Sequence, residues 1–454
     1  MVNISSLNRP TITVLGAGYV GLTGAALFAK SGYKVYIVEP NEDRLSVIKQ
    51  GKSFFFEEGI NPIIKQCINE GYLIPTNSYK ESVPYSDIIF SSVGTPDNPD
   101  GSSNLTYIFS AAEEAAKYIR PGSIYVQKST VPVGTGKKLI NLFRSLKVSV
   151  SYVSNPEFLR EGTAIYDTLY FDRVVVGSND QDAVDKVLDL YRSLERCRDS
   201  IAQFANITTK SRNGQYIATT LNSAELIKIT ANAFLALKIS FANSIALLAD
   251  ATDADINEVM DAVGADERIG RAFLNAGRGY GGGCFPKDVS GLIASCHEFG
   301  VDSSILSAAQ SINKSMPSYI IDKVTSHLGN LTNKHIAVLG LAFKAGTSDV
   351  RKSPGIEIVN LLHEKGAIVT AHDPQANKEA VKNAHHEITP LDSITEAIYG
   401  ADAIIVATEW PEFRDYPISK IVSQMNGTLF VDAVNMFDKV SLTQNGLVYL
   451  GVGR

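Results

Sequence analysis

Residues 11–32, "TITVLGAGYVGLTGAALFAKSG", restrict the fold more than any other stretch of the chain. A short β-branched, apolar run ends at Gly16, and Gly18 and Gly21 complete a Gly-x-Gly-x-x-Gly spacing that opens a helix-like segment. Glycines at that spacing let a tight turn close, let backbone approach a pyrophosphate, and let the helix pack directly on its strand. The helix N-terminus then points free N–H groups at an anion. The next apolar run, "KVYIVE", ends in Glu39, eighteen residues after Gly21, where a carboxylate can take the ribose hydroxyls of a dinucleotide. An acid there repels a 2′-phosphate, so the pattern predicts NAD rather than NADP. Gly16, Gly18, Val20, Gly21 and Glu39 form the expected cofactor cradle, with Arg44 a candidate contact to the adenosine side or a plain surface arginine.

The same alternation continues. "SDIIFSSVG" (86–94), "SIYVQKS" (123–129) and "DRVVVGS" (172–178) read as strands separated by helical stretches, which indicates βαβ units around a parallel sheet covered on both faces. Residues 222–250 then run without Pro or Gly, with Leu226, Ile229, Ala233 and Leu237 at helical spacing and Asn222 or Ser223 as candidate N-caps. Such a helix is long enough to bridge domains or build a dimer interface. Strands resume near 334 with "HIAVLGLAF", "AIVTAHDP", "ADAIIVATEW" and "GTLFVDAV". The expected fold class is α/β, with two Rossmann-like doubly wound domains joined by a long central helix.

Composition narrows function mainly by exclusion. The 454 residues are 44% hydrophobic and 20% charged with a net charge of −6, and no Lys/Arg-rich run suggests nucleic acid. An anionic ligand must therefore be held by local groups. Four scattered cysteines, Cys67, Cys197, Cys284 and Cys296, form no CxxC pair, which argues against a zinc site and a disulfide framework, so no metal is expected. The N-terminus lacks the apolar core of a signal peptide, and the most apolar long stretch is broken by Lys238 and two asparagines. A cytoplasmic protein with no membrane or nucleic-acid partner is expected.

"GRGYGGGCFPKD", residues 277–288, crowds five glycines around Cys284. One reading makes Cys284 a nucleophile in a ligand-hugging loop, tuned by Lys287 and Asp288. The other makes it a small buried cysteine in a turn.

Eight collinear motifs resolve the choice by resemblance: "GAGYVGL", "VGTP" (93–96), "STVPVGT" (129–135), "NPEFLREGTAIYD" (155–167), "AELIKITANAFLALK", "GYGGGCFPKD", "GLAFKAGTSDVRKSP" (340–354) and "ATEWPEF" (407–413). Over nearly its whole length the chain resembles the UDP-glucose/GDP-mannose dehydrogenase family. The resemblance implies an NAD-dependent, four-electron oxidation of a nucleotide-linked hexose at C6, using two NAD, with Cys284 carrying a thiohemiacetal and then a thioester. It implies that Lys228 and Asn232, i and i+4 on the long helix, stabilise the C6 oxygen, although on helix position alone a snorkelling lysine and a helical asparagine serve as well. Asp288 assists water or proton transfer, or caps the following helix. Glu157 becomes a candidate general base, Thr130 lies near the nicotinamide and the catalytic water, and Thr95, Glu161, Lys287 and Arg351 contact the cofactor.

For the substrate, the resemblance implies Glu157, Phe158, Leu159, Arg160 and Glu161 beside the sugar, with Lys228 and Asn232. Phe273, Leu274, Asn275, Ala276, Gly277 and Gly281 act largely through backbone, and Lys344 reaches the diphosphate. Arg268 resembles an arginine that reaches a neighbouring subunit, so a homodimer or higher homo-oligomer is expected. The expected domains are 1–215 (NAD-binding), 216–325 (central helix, cysteine loop, dimerisation) and 326–454 (UDP-sugar-binding). Gly283 stands where the family often has serine, suggesting a looser loop; Asn104 replaces a common aspartate; and "DAVN" (432–435) lacks the arginine expected near Val434. UDP-glucose is the expected substrate. GDP-mannose or a UDP-N-acetylhexosamine is the alternative within the family, and a two-electron hydroxyacid dehydrogenase the alternative outside it.

Overall fold

The structure, a computed structural model, describes residues 9–208, 213–383 and 388–454. The chain divides into two compact units, 1–230 and 231–454. The first holds eight strands: β1 (Ile12–Leu15), β2 (Val35–Val38), β3 (Leu73–Thr76), β4 (Ile88–Ser91), β5 (Ile124–Gln127), β6 (Ser151–Ser154), β7 (Arg173–Gly177) and β8 (Gln215–Thr219). They form one sheet in the order β3-β2-β1-β4-β5-β6-β7-β8, parallel except where β6 meets β7.

Strand side chains alternate between two covered faces. Ile12, Val14, Ile37, Phe90, Val126 and Val176 pack with helices Tyr19–Lys30, Ile60–Asn69 and Gln181–Phe204, while Val38, Ile89, Tyr125 and Tyr152 pack with Thr106–Ala116 and Thr135–Ser145. Burial on both faces is why these strands read as unbroken apolar runs.

The second unit carries β9 (His335–Leu339), β10 (Ile368–His372), β11 (Ala403–Val406), β12 (Leu429–Asp432) and β13 (Val448–Gly451), all parallel, in the order β10-β9-β11-β12-β13. Its core joins Ile336, Val338, Ile404 and Phe430 with Met316 and Ile320 of the helix Ser304–Leu328.

The long helix spans Leu221–Thr252. Its N-cap is neither Asn222 nor Ser223: the Thr220 hydroxyl accepts from Ser223 N at 3.2 Å, so the helix starts earlier than expected. Among the described residues it alone is long and apolar enough to cross a membrane by length and composition. Its polar side chains nevertheless have partners in the protein: Lys238 donates to the carbonyls of Ile269 and Gly270, and Asn243 accepts from Gly277 N at 2.7 Å.

Each unit opens with the same backbone contact. Gly16 (φ +90°) ends β1, and a Cβ on Gly21 would lie 1.9 Å from the Gly16 carbonyl oxygen. Gly340 (φ +109°) follows β9, and a Cβ on Gly355 would lie 2.4 Å from the Gly340 oxygen. Ser353 caps that second helix, Pro354–Glu364, through Gly355 N. Gly355→Ala is therefore expected to cost about 1–3 kcal/mol by overpacking. Gly24→Ala, on the helix Tyr19–Lys30 with nothing within 4 Å of its added methyl, should be neutral or gain up to about 1 kcal/mol. Thermal unfolding of both variants checks the argument; a lower midpoint for Gly24→Ala with an unchanged one for Gly355→Ala would reverse it.

Candidate active site

The glycine turn expected to cradle the cofactor lies between β1 and the helix Tyr19–Lys30. Gly18 precedes the helix Tyr19–Lys30 with no side-chain cap, so the helix's first N–H groups remain available to an anion. Glu39 is buried at the end of β2; its carboxylate accepts from Ala17 N at 3.2 Å and Asn41 N at 3.0 Å, tying the glycine turn to the second strand. Two amides leave a carboxylate with acceptor capacity for ribose hydroxyls. An uncapped helix start, a turn closed by Gly16 and Gly21 with open space over Gly18, and a buried acid at the strand end fit NAD. Arg44 is exposed and stacks over Phe54 at 4.8 Å. Thr95 and Thr130 are half-buried in the loops after β4 and β5. Ser129 ties those loops together by donating to Val93 O at 2.6 Å.

A cavity in the first unit brings Val20 and Gly21 together with Glu157, Phe158 and Leu159. Glu157 and Glu161 sit in a loop, both buried, rather than on a solvated face. Lys228 Nζ meets Glu157 Oε1 at 3.1 Å with both side chains at least nine-tenths buried, and Glu157 Oε2 accepts from Leu159 N at 2.7 Å. Arg160 instead grips Asp167 through Nε and Nη2, bracing the loop from within.

Two residues here escaped the sequence reading. Lys128 lines the same cavity, donating to Tyr191 Oη at 2.8 Å and Asn155 Oδ1 at 3.2 Å. Burial pushes its pKa down to about 7, with Glu157 opposing and Lys228 reinforcing the shift. The signal was one cation ending the apolar run "SIYVQK". Glu225, three residues before Lys228, accepts from Gly134 N and Gly136 N at 2.7 Å each and so caps the helix Thr135–Ser145 that follows the Thr130 loop. Burial raises it to about 7 against the pull of those two amides.

In the second unit Cys284 is the N-cap of the helix Phe285–Glu298. It is exposed, whereas Cys67 is buried, its thiol pushed up to about 11 by burial, and Cys197 and Cys296 are half-buried. Cys67, in the helix Ile60–Asn69, is the buried cysteine, and Cys284 is not. The helix's positive end lies beside the sulfur, where it favours negative charge. Asp288 does not cap this helix, which begins three residues before it; its buried carboxylate accepts from Asn232 Nδ2 at 2.6 Å and Lys287 Nζ at 2.5 Å.

Gly283 does not loosen the loop. A Cβ there would lie 2.5 Å from the Arg351 guanidinium carbon, so the missing side chain admits Arg351, which also holds Asp349. Gly281 likewise admits Lys352 O, 2.3 Å from where its Cβ would stand. In the segment 273–277, Phe273 has φ +66°, Leu274 O and Asn275 Oδ1 accept from Arg271, Ala276 O accepts from Asn435, and Gly277 N binds Asn243. Lys344 is half-buried beside Phe343, while Arg268 is exposed on Asp266. Lys228, Glu157, Phe158 and Leu159 therefore cluster in one unit, and Asn232, Cys284, Lys287 and Asp288 in the other; Arg44, Arg160 and Arg268 join neither group.

Residues 10–195, 222–315 and 337–439 match the UDP-glucose/GDP-mannose dehydrogenase family's NAD binding, central and UDP binding domains in turn. The chain is 35% identical to the UDP-glucose 6-dehydrogenase TuaD of Bacillus subtilis over 446 residues, covering 98% of this chain and 93% of that protein. It is 37% identical to a UDP-glucose 6-dehydrogenase of Rickettsia felis, covering 97% and 96%. The solved structure of a UDP-glucose dehydrogenase from Pyrobaculum islandicum aligns with a TM-score of 0.88 at 34% identity over 99% of both chains. An NAD-binding sheet, a central helix with its cysteine loop and a second sheet for UDP follow one another in the order these relatives share, and the chain belongs to the UDP-glucose/GDP-mannose dehydrogenase family.

Proposed function

We propose that the chain is an NAD-dependent UDP-glucose 6-dehydrogenase that oxidises the C6 alcohol of UDP-glucose to the carboxylate of UDP-glucuronate. The observation that carries the reading is Cys284: the one exposed cysteine of four, at a helix start, followed within a turn by an aspartate already held by Asn232 and Lys287. NAD, held by Gly16, Gly18, Val20, Gly21 and Glu39, supplies when bound the acceptor for two successive hydrides, one per molecule.

Glu157, through water and with Thr130, takes the C6 hydroxyl proton as the alcohol becomes an aldehyde. The Cys284 thiolate then forms a C–S bond to C6, giving a thiohemiacetal that keeps the reactive carbonyl from escaping. Loss of the second hydride and a proton leaves a thioester. Water aided by Asp288 breaks the C–S bond, releasing the acid and the thiolate. Lys228 and Asn232 stabilise negative charge on the C6 oxygen at each stage. Thr95, Glu161, Lys287 and Arg351 complete the cofactor contacts, with Phe158–Glu161, Phe273–Gly277, Gly281 and Lys344 around the nucleotide sugar. Residues 1–215, 216–325 and 326–454 are the corresponding domains. A cytoplasmic setting suits four free cysteines.

A homodimer belongs to the same proposal. Phe234, Phe241 and Leu248 recur every seven residues on the long helix and are 59%, 50% and 59% exposed. A heptad-spaced apolar stripe fits a second copy of itself, and Arg268 would reach the partner's substrate.

Limiting UDP-glucose with excess NAD should yield two NADH per sugar, with GDP-mannose and UDP-N-acetylglucosamine silent. Cys284→Ser should lower turnover on the order of 10³-fold or more, and Lys228→Met by roughly 10²–10³-fold. Two NADH from another nucleotide sugar would keep the mechanism and replace the substrate. One NADH per sugar, indifferent to losing the thiol, would sink the mechanism in favour of a two-electron hydroxyacid-type enzyme. Light scattering on Phe241→Lys should report a monomer where the unmodified chain gives a dimer; an unchanged mass would remove the stripe from the interface.

A further inference from the structure

Arg278, inside the glycine loop, is the most buried arginine of the second unit, with its side chain only 4% exposed. Its guanidinium makes two contacts: Nη2 donates to Phe343 O at 2.8 Å and reaches Glu409 Oε2 at 3.4 Å. Nε and Nη1 are buried with no hydrogen-bond partner among the described residues. A buried cation with two idle donors is costly unless an anion completes it.

The nearby acids do not complete it. Glu409 is the weaker contact and is half in water, with 48% of its side chain exposed. Asp373 is already spent: Oδ2 accepts from Leu341 N, Ala342 N and Trp410 Nε1, and Oδ1 from Gln375 N and Ala376 N. Burial accordingly works against the charge on Arg278, and these two acids only partly restore it.

The position of the guanidinium identifies the missing partner. Phe343 follows β9, Glu409 follows β11, and Ala433, whose carbonyl accepts from Arg278 N at 2.8 Å, follows β12. Arg278 therefore sits outside the carboxyl ends of the strands. The order β10-β9-β11-β12-β13 reverses direction between β9 and β11, and ligands of doubly wound sheets bind at such a reversal, at the carboxyl ends. Position 434 in the loop after β12 is a valine, so the cation at this edge comes from the glycine loop instead. With Nη2 held by Phe343 O, the idle Nε and Nη1 face different sides of the planar guanidinium and can each take a separate phosphoryl oxygen.

We propose that Arg278 binds the diphosphate of the nucleotide-sugar substrate, its Nε and Nη1 donating to phosphoryl oxygens at the switch point of the five-stranded sheet. This rests on the UDP-glucose reading above. The site takes a nucleoside diphosphate rather than a base or a sugar alone, because the two buried donors without a partner call for an anion.

Calorimetric titration of the full chain with UDP tests the assignment. Arg278→Met should weaken UDP roughly 10- to 100-fold, the loss of hydrogen bonds to a charged group. The KM for UDP-glucose should rise in step, while the KM for NAD stays unchanged. Arg278→Lys should recover only part of the loss, because a compact ammonium cannot place donors where both Nε and Nη1 stand. UDP affinity in Arg278→Met within twofold of the unmodified chain would overturn the proposal and leave the enzyme reading standing. Should that variant not fold, Glu409→Gln decides: equal or tighter UDP binding is expected, since the carboxylate competes for the guanidinium, whereas a tenfold loss would make Arg278–Glu409 a structural pair and overturn it. If the unmodified chain fails to bind UDP at all, the functional reading falls first and this inference with it.

Discussion

A helix can deliver its N-terminal amides to the carboxyl end of the strand before it only if the two backbones touch without an intervening Cβ. Both units meet that requirement, with Gly21 against Gly16 O and Gly355 against Gly340 O. Several of the candidate residues stand on the edges those contacts define. The loops after β1, β4 and β5 carry the cradle, Thr95 and Thr130, and the loops after β9, β11 and β12 surround Arg278. The sheets serve as rigid floors, and the variable loops on one edge hold the function.

Net negative charge in an enzyme for a doubly phosphorylated substrate and an anionic cofactor requires that cations act singly and out of water. Lys228 and Arg278 are buried and Lys128 half-buried, set respectively against the buried Glu157, against Phe343 O with the half-exposed Glu409, and against Tyr191 and Asn155. Withdrawal lowers the local dielectric, so each charge counts for more than it would on the surface. The same withdrawal costs the fold stability, which is why each cation is braced: Lys228 by Glu157, Lys128 by Tyr191 and Asn155, Arg278 by a carbonyl. Glu225 is the mirror case, an acid buried three residues before Lys228 and spent on two helix amides, so that the helix presenting the lysine also anchors the loop that carries Thr130.

The sequence made the covered strands legible and left the edges obscure. β1, β2, β4, β5, β7, β9, β11 and β12 appear where apolar runs stand, because burial on both faces demands them, and β10 is the one edge strand whose apolar run was also legible. The unread strands have reasons. β3 is an edge strand containing Pro75, and β8 is an edge with two exposed residues of five. β13 is the far edge of the second sheet, and β6 alternates serine with apolar residues. Motif residues such as Gly16, Glu39 and Cys284 were readable because their spacing encodes local geometry. Lys128, Glu225 and Arg278 were not, because what distinguishes them is burial beside residues 27 to 131 positions away, and no local pattern records that.

The glycine loop shows how far a local reading can point the wrong way about the stiffness of a segment. Five glycines suggest slack, yet all five are packed on their missing side chains. Gly277 lies against Ala433 O, Gly279 against Asn313 Oδ1, Gly281 against Lys352 O, Gly282 against the Phe343 ring, and Gly283 against the Arg351 guanidinium, each with less than 3 Å to where a Cβ would stand. A loop stitched that tightly to its surroundings is a seam. In the proposed reaction Cys284 attacks C6 once and holds it until water releases the acid, so a fixed position serves it better than reach, because misplacing a reacting atom by an ångström forfeits most of the benefit of holding it. The glycines thus fix Cys284 by letting the chain around it approach backbone to backbone, the same device that opens each of the two sheets.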